Sequence, residues 1–214
     1  MKKFELWQGD CLELMKNIPD GSVDLVLTDP PYGTTACKWD SVIPFEPMWE
    51  QLNRIIKPNG AICLFGREPF TSCLIMSNIK DYKHKWVWNK KQSGSPFNAK
   101  YMPLQIEEDI ICFCKGNKKV NYYPQMRKGK MRTKGGAKTA IKTMGGIKRG
   151  YKVENDLYFP VNILEFANCR NRKSNVPQRK SLLICLNTLS RHTQTRAKLS
   201  LTSQWEAVAQ ALLA

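Results

Sequence analysis

The sequence predicts an α/β fold in which strands and helices alternate along the chain. Two observations carry this. Short apolar runs closed by polar loops alternate with segments whose apolar residues recur at helical spacing. Two of those runs are also continuous enough for strands buried on both faces, as crossover connections produce.

The elements follow in order. Residues 4–8 alternate as a short strand ended by Gly9-Asp10, and 11–18 carry Leu12, Leu14, Met15 and Ile18 at helical offsets before Pro19-Asp20-Gly21. Residues 23–27, Val-Asp-Leu-Val-Leu, read as a buried strand ending at Thr28-Asp29-Pro30-Pro31-Tyr32-Gly33. The segment 47–56 is a helix presenting Met48, Leu52, Ile55 and Ile56, stopped by Lys57-Pro58-Asn59-Gly60. A continuous apolar run over 61–66 is the next strand, followed by a helix over 69–78 and strands over 85–90 and 108–115. Residues 116–160 interrupt the alternation, and 158–166 restore a strand. In such sheets ligands collect at strand C-termini, where Asp10 and Asp29 both fall.

Charge divides the chain. Of its 214 residues, 34 are Lys or Arg and 18 Asp or Glu. Residues 1–80 hold eight basic and ten acidic side chains, leaving 26 and eight for the remainder. Between Asp109 and Glu154 there is no acid, while 13 Lys and Arg fall from Lys115 to Lys152. Such a run meets a polyanion or is a solvated tail; Tyr122, Tyr123 and Tyr151 within it favour a nucleic-acid partner, with Lys128, Lys130, Arg132, Lys134 and Lys138 as candidate phosphate contacts. No apolar stretch approaches the roughly 20 residues that cross a bilayer, and the Met-Lys-Lys-Phe-Glu start lacks an apolar signal core, so the chain reads as cytosolic with no membrane partner. The eight cysteines show no paired Cys-x-x-Cys spacing and only two His accompany them, which predicts reduced thiols and no metal.

Asp29-Pro30-Pro31-Tyr32 is the most informative tetrapeptide. The prolines stiffen the backbone at a strand end, so a carboxylate, a carbonyl and an aromatic ring converge on one small space. That set suits a planar amine: Asp29 and the Pro30 carbonyl accept its two N–H groups while Tyr32 stacks on the ring, leaving the nitrogen lone pair for an electrophile. A stiff turn is the plain alternative; the strand before it and Gly33 after it favour the site.

At this point the chain resembles the S-adenosylmethionine-dependent DNA amino-methyltransferases. The resemblance rests on GDCLELMKNIPDGSVDLVLTDPPYG, LNRIIKPNGAICLFG, KWVWNK, EDIICFCKG and YFPVNILEF, covering most of residues 5–115 and 158–176. It implies a Rossmann-like methyltransferase sheet with helices on both faces over residues 1–114, a basic recognition insert over 115–157 and a return strand within 158–176. It also implies S-adenosylmethionine as cofactor, with Asp10, Cys11 and Asp29 near it, and Asp29, Pro30, Pro31 and Tyr32 as the catalytic loop. Duplex DNA would be the substrate, its target base flipped out onto Tyr32. A homodimer and a cognate restriction nuclease are partners that the family admits. An initial Asp in this loop is typical of adenine-N6 enzymes and an initial Ser of many cytosine-N4 enzymes, so Asp29 favours adenine; cytosine-N4 is the alternative within the family. An inactive DNA-binding remnant and an RNA-binding module are the alternatives outside it.

The resemblance stops at the C-terminal side. Family members with this loop order end with an HPTQKP-like segment and a glycine-rich cofactor loop, whereas here Asn175-Val176-Pro177-Gln178-Arg179-Lys180-Ser181 is followed by no glycine at all. Reading the codons of residues 190–211 one base back permits IKTYTNQGETVFDFTMGSGSTG, and the codons of Trp205-Glu206 force a glycine within it. The hypothesis is a single-base deletion near codon 177 that leaves 177–214 out of frame; the gene's codons test it, and any that forbid this reading end it.

Overall fold

The computed structural model describes residues 3–5, 7–37, 40–93, 96–134, 153–165, 198–201 and 211–213. In chain order the elements are β1 (Lys3–Glu5), α1 (Cys11–Met15), β2 (Val23–Thr28), α2 (Phe45–Ile55), β3 (Ile56–Gly66), α3 (Phe70–Ser77), β4 (Tyr82–Asn89), β5 (Glu107–Phe113), β6 (Arg127–Lys134), β7 (Val153–Tyr158), β8 (Ile163–Glu165), β9 (Lys198–Leu201) and β10 (Ala211–Leu213). The chain divides into two compact units, one of residues 1–123 and 162–214, the other of 124–161.

The first unit is built on a six-stranded sheet of order β8-β4-β5-β3-β2-β9. β2 runs parallel to both β3 and β9, and β4 parallel to β8, while β5 is antiparallel to β3 and β4. β4 and β5 are consecutive, so their pairing needs only a loop and no crossover helix. β3 begins directly where α2 ends. Its register against β2 jumps from Val23↔Ile56 to Leu25↔Ala61, so Lys57-Pro58-Asn59-Gly60, expected to stop the helix, forms an irregularity inside the strand. β1 pairs with β10 in a separate antiparallel ribbon.

Strand alternation divides the core in two. One set of side chains, including Val26, Ile62, Leu64, Ile111 and Phe113, meets all three helices through Met15, Trp49, Leu52, Phe70 and Leu74. The other set, Leu25, Leu27, Cys63, Phe65, Trp86, Trp88, Ile110 and Cys112, forms its own cluster with Leu164 of β8. Among the described residues the helices therefore cover one face of the sheet. α2 presents Met48, Trp49, Leu52 and Ile55 inward, and Trp49 meets the Phe113 ring edge-on at 4.7 Å. Arg54 of the same helix donates to the carbonyls of Met15 (2.6 Å) and Ile18 (2.8 Å), satisfying acceptors that the end of α1 leaves open.

The second unit is the β6–β7 hairpin. Its antiparallel register skips between Lys128 and Arg132. Gly129 lies under the Tyr158 ring, where a Cβ would come within 2.8 Å of the ring carbons, and the Tyr158 hydroxyl donates to the Lys130 carbonyl at 2.9 Å. Tyr158 thus belongs to the hairpin and not to the returning strand, which the sequence analysis begins at 158. Pro160, with no N–H to give a ladder, separates β7 from β8.

Candidate active site

β2 ends at Thr28, and Asp29, Pro30, Pro31 and Tyr32 follow at the C-terminal edge of the sheet. Both prolines are buried. Tyr32 packs against both core clusters, and its ring lies 5.2 Å from that of Phe70 at the start of α3. Its hydroxyl donates to Asp29 Oδ1 at 2.5 Å and stands 3.4 Å from Glu108 Oε1. Glu108 is held in turn by Lys90 Nζ at 2.7 Å, and Lys90 lies over the Trp88 ring. The end of β4 and the start of β5 thus bring a second carboxylate to the first.

Burial, with the charge of Glu108 second, raises the Asp29 carboxyl from its ordinary 3.8 to about 6; the Tyr32 hydroxyl and Lys90 oppose this without cancelling it. Burial and the same two carboxylates push the Tyr32 phenol well above its ordinary range, so it remains a neutral donor.

The loop after Tyr32 is organised by one side chain. Asp40 Oδ1 accepts the backbone N–H groups of Tyr32 and Gly33, both at 2.8 Å, and Oδ2 accepts those of Thr34 (2.9 Å) and Thr35 (2.7 Å). Gly33 sits at φ +67°, a conformation that L side chains rarely adopt, and so lets consecutive amides turn toward one acceptor. Burial works against the Asp40 charge, but hydrogen bonds from Thr35, Gly33 and Thr34 outweigh it and hold the carboxyl below its usual range.

The other residues predicted for a site fall as follows. Asp10 is the N-cap of α1, its Oδ1 accepting from Leu12 N (2.8 Å) and Glu13 N (3.3 Å). Cys11 opens that helix half-buried, where burial raises its thiol and keeps it neutral. Lys128 and Lys130 are exposed on the hairpin, Lys128 3.8 Å from Asp156. Arg132 is committed to the hairpin itself: it stacks 3.9 Å over Tyr158 and donates to Asn155 Oδ1 and the Leu157 carbonyl. Lys134 is in register with Val153, and Lys138 lies outside the described residues. Asp40, Glu108, Lys90 and Phe70 escaped the sequence analysis. Asp40 could have been found as the first acid after a stretch rich in free N–H groups, and Glu108-Asp109 as two acids opening an otherwise apolar strand.

The chain as a whole has known relatives. A family model described as DNA methylase, that of the N6/N4 methyltransferases, matches residues 23–195, most of the chain. The chain belongs to this DNA methylase family. The match includes the Asp29–Tyr32 loop, Asp40 and Glu108. The Type II methyltransferase M.BamHI of Bacillus amyloliquefaciens is 23% identical over 186 residues, 80% of this chain and 43% of that protein. M.HpaI of Haemophilus parainfluenzae is 27% identical over 126 residues, 53% and 40% respectively. The chain thus spans about two-fifths of the length of these curated relatives. Among solved structures, the PvuII DNA methyltransferase (cytosine-N4-specific) superposes with a TM-score of 0.54 at 13% identity, covering 91% of this chain and 72% of that one. M1.HpyAVI in complex with SAM gives 0.54 at 19% identity, covering 92% and 80%. These likenesses show that the chain shares their fold.

Proposed function

We propose that this methylase transfers a methyl group from S-adenosylmethionine to the exocyclic N6 amine of adenine in duplex DNA. The observation that carries the reading is the Asp29 carboxylate, half-buried just after β2 and already engaged by an O–H donor from Tyr32. A target amine would replace that donor. Asp29 would accept one N–H and the Pro30 carbonyl the other, Pro31 would brace the loop, and Tyr32 would lie against the extruded base. The negative charge of Asp29 offsets the positive charge that develops on the nitrogen, and a carboxyl near 6 is basic enough to take the proton released afterwards. S-adenosylmethionine supplies the electrophilic methyl, and the acidic pair of Asp29 and Glu108 suits its cationic groups, with Asp10 and Cys11 the further candidates to hold it. Asp29, in place of Ser, favours adenine over cytosine. Incubation of duplex DNA with labelled S-adenosylmethionine, followed by nucleoside analysis, tests this: N6-methyladenine is expected, its loss in Asp29→Ala is required, and N4-methylcytosine would overturn the assignment of the base.

A second reading concerns this chain as encoded. β9 runs parallel to β2 and ends with Leu201 in register with Thr28, one residue before Asp29. No glycine follows it. One base back, residues 198–201 would read ETVF, leading into DFTMGSGSTG beside the same strand end. We therefore infer that residues 198–214 as encoded supply no glycine-rich cofactor loop at this strand end, and that this chain binds S-adenosylmethionine weakly. The frame-restored chain should bind S-adenosylmethionine at micromolar concentration where this one does not; equal binding by both would end this reading.

A further inference from the structure

The connection between β4 and β5, residues 90–106, is rooted at the site. Its two feet are clasped by Lys90 N donating to the Ile106 carbonyl at 2.7 Å. Lys90 is also the residue that holds Glu108, and Glu108 adjoins the Tyr32 hydroxyl. The returning leg is fastened by Arg67, whose Nε donates to Gln105 Oε1 at 2.8 Å.

Between those feet the connection presents what a surface turn ordinarily hides. Pro96–Lys100 forms a 3-10 turn, closed by Tyr101 N and Met102 N donating to the Asn98 carbonyl. On it Phe97 is 91% exposed and Tyr101 86% exposed, with Met102 and Leu104 exposed beside them. Two aromatic rings bare on one turn mark a contact surface and not a packing element. The charge on the same stretch selects the partner. From Lys90 to Ile106 there are three lysines and no acid; Lys90 and Lys91 pair with Glu108 and Glu165, and Lys100 is the cation that falls between Phe97 and Tyr101. A cation between two open ring faces matches a strand whose phosphates are negative and whose bases are unpaired, since every base offers a face for stacking.

We propose that this turn is a second nucleic-acid contact, in which Phe97 and Tyr101 stack on unpaired bases next to the target while Lys100 faces the backbone phosphates. The proposal rests on the reading above, in which a base leaves the duplex at Asp29. Withdrawing a nucleotide unstacks its neighbours and orphans its partner, and rings on a connection whose feet adjoin that site would cover them.

The test uses the full 214-residue chain carrying Phe97→Ala and Tyr101→Ala, with a mixed-sequence single-stranded oligonucleotide containing 2-aminopurine as probe. Both side chains are exposed, so the thermal midpoint should match that of the parent chain. Single-strand affinity is expected to fall about tenfold or more, with loss of the fluorescence quenching that stacking produces, while affinity for a fully paired duplex falls less than about twofold. Unchanged single-strand binding, an equal loss on both forms, or conversion of a dimer to a monomer by the double variant would each overturn the proposal. The two readings fail separately. Absence of methyl transfer by the frame-restored chain, with the stacking loss intact, removes the enzyme and keeps the contact; Asp29-dependent transfer with unaltered single-strand binding does the reverse.

Discussion

At the scale of single residues, Asp29 carries a conflict between folding and chemistry. Its carboxyl is charged at neutral pH only at a cost, because burial and Glu108 both favour the proton. Below about pH 4 it is neutral in folded and unfolded chains alike. Between about 4 and 6 the folded chain holds a proton that the unfolded chain has released, and above 6 the fold bears the full penalty, about 2–3 kcal/mol. Asp29→Asn, which can still accept the Tyr32 hydroxyl, should therefore be more stable than the parent by roughly 2 kcal/mol at pH 8 in urea denaturation, with the gap closing by pH 4. Transfer should be lost at both. In the parent chain transfer should weaken as pH falls through about 6, where the acceptor is neutralised. Asp40 makes a different prediction. Asp40→Ala leaves four amides without their acceptor and should cost about 2 kcal/mol or more. Amide hydrogen exchange should accelerate at residues 32–35; in Asp40→Asn, which keeps one acceptor oxygen, it should accelerate chiefly at Thr34 and Thr35. Protection unchanged in Asp40→Ala would show that the loop holds its shape by other means. Asp29 and Tyr32 were legible in the sequence because their motif is contiguous. Glu108 was not, because it reaches Tyr32 only through the pairing of strands distant in sequence.

At the scale of elements, the strand and helix cores were legible from periodicity, and boundaries moved where a local rule competed with tertiary pairing. Pro58-Asn59-Gly60 is a sound helix stop, yet hydrogen bonding to β2 on either side draws it into β3. The antiparallel setting of β5 was not legible, since a buried strand of either direction reads as the same apolar run. The amphipathic pattern of α2 was legible and has an energetic consequence. Leu52 is 1% exposed, and Leu52→Ala should lower unfolding free energy by about 2–5 kcal/mol. Chemical denaturation measures this; a loss below about 1 kcal/mol would mean that the helix does not anchor the core.

At the scale of the whole molecule, the acid-poor stretch predicts salt-dependent association with DNA. Lys128 and Lys130 are exposed on the hairpin, while Arg132 is turned onto Tyr158. Replacing both lysines with Ala should lower the slope of log affinity against log salt by about 2, and Arg132→Ala should chiefly loosen the hairpin. Equal slopes for parent and double variant would place the phosphate contacts elsewhere. Charge alone made this region legible as strongly basic, but not which cations the hairpin itself engages, because side-chain commitments such as that of Arg132 appear only once the hairpin is formed.

The short hydrogen bond from Tyr32 to Asp29 gives the site a resident rival. An incoming donor that takes Asp29 Oδ1 must displace a phenol that is always present at effectively unit stoichiometry. Water, with no ring to rest on Tyr32, gains little by the exchange, whereas on the proposed reading an aminated heterocycle would give one N–H to Asp29, the other to the Pro30 carbonyl, and add a stacked face. Selectivity against solvent is thus set before any substrate arrives, by a competitor that the chain carries within itself.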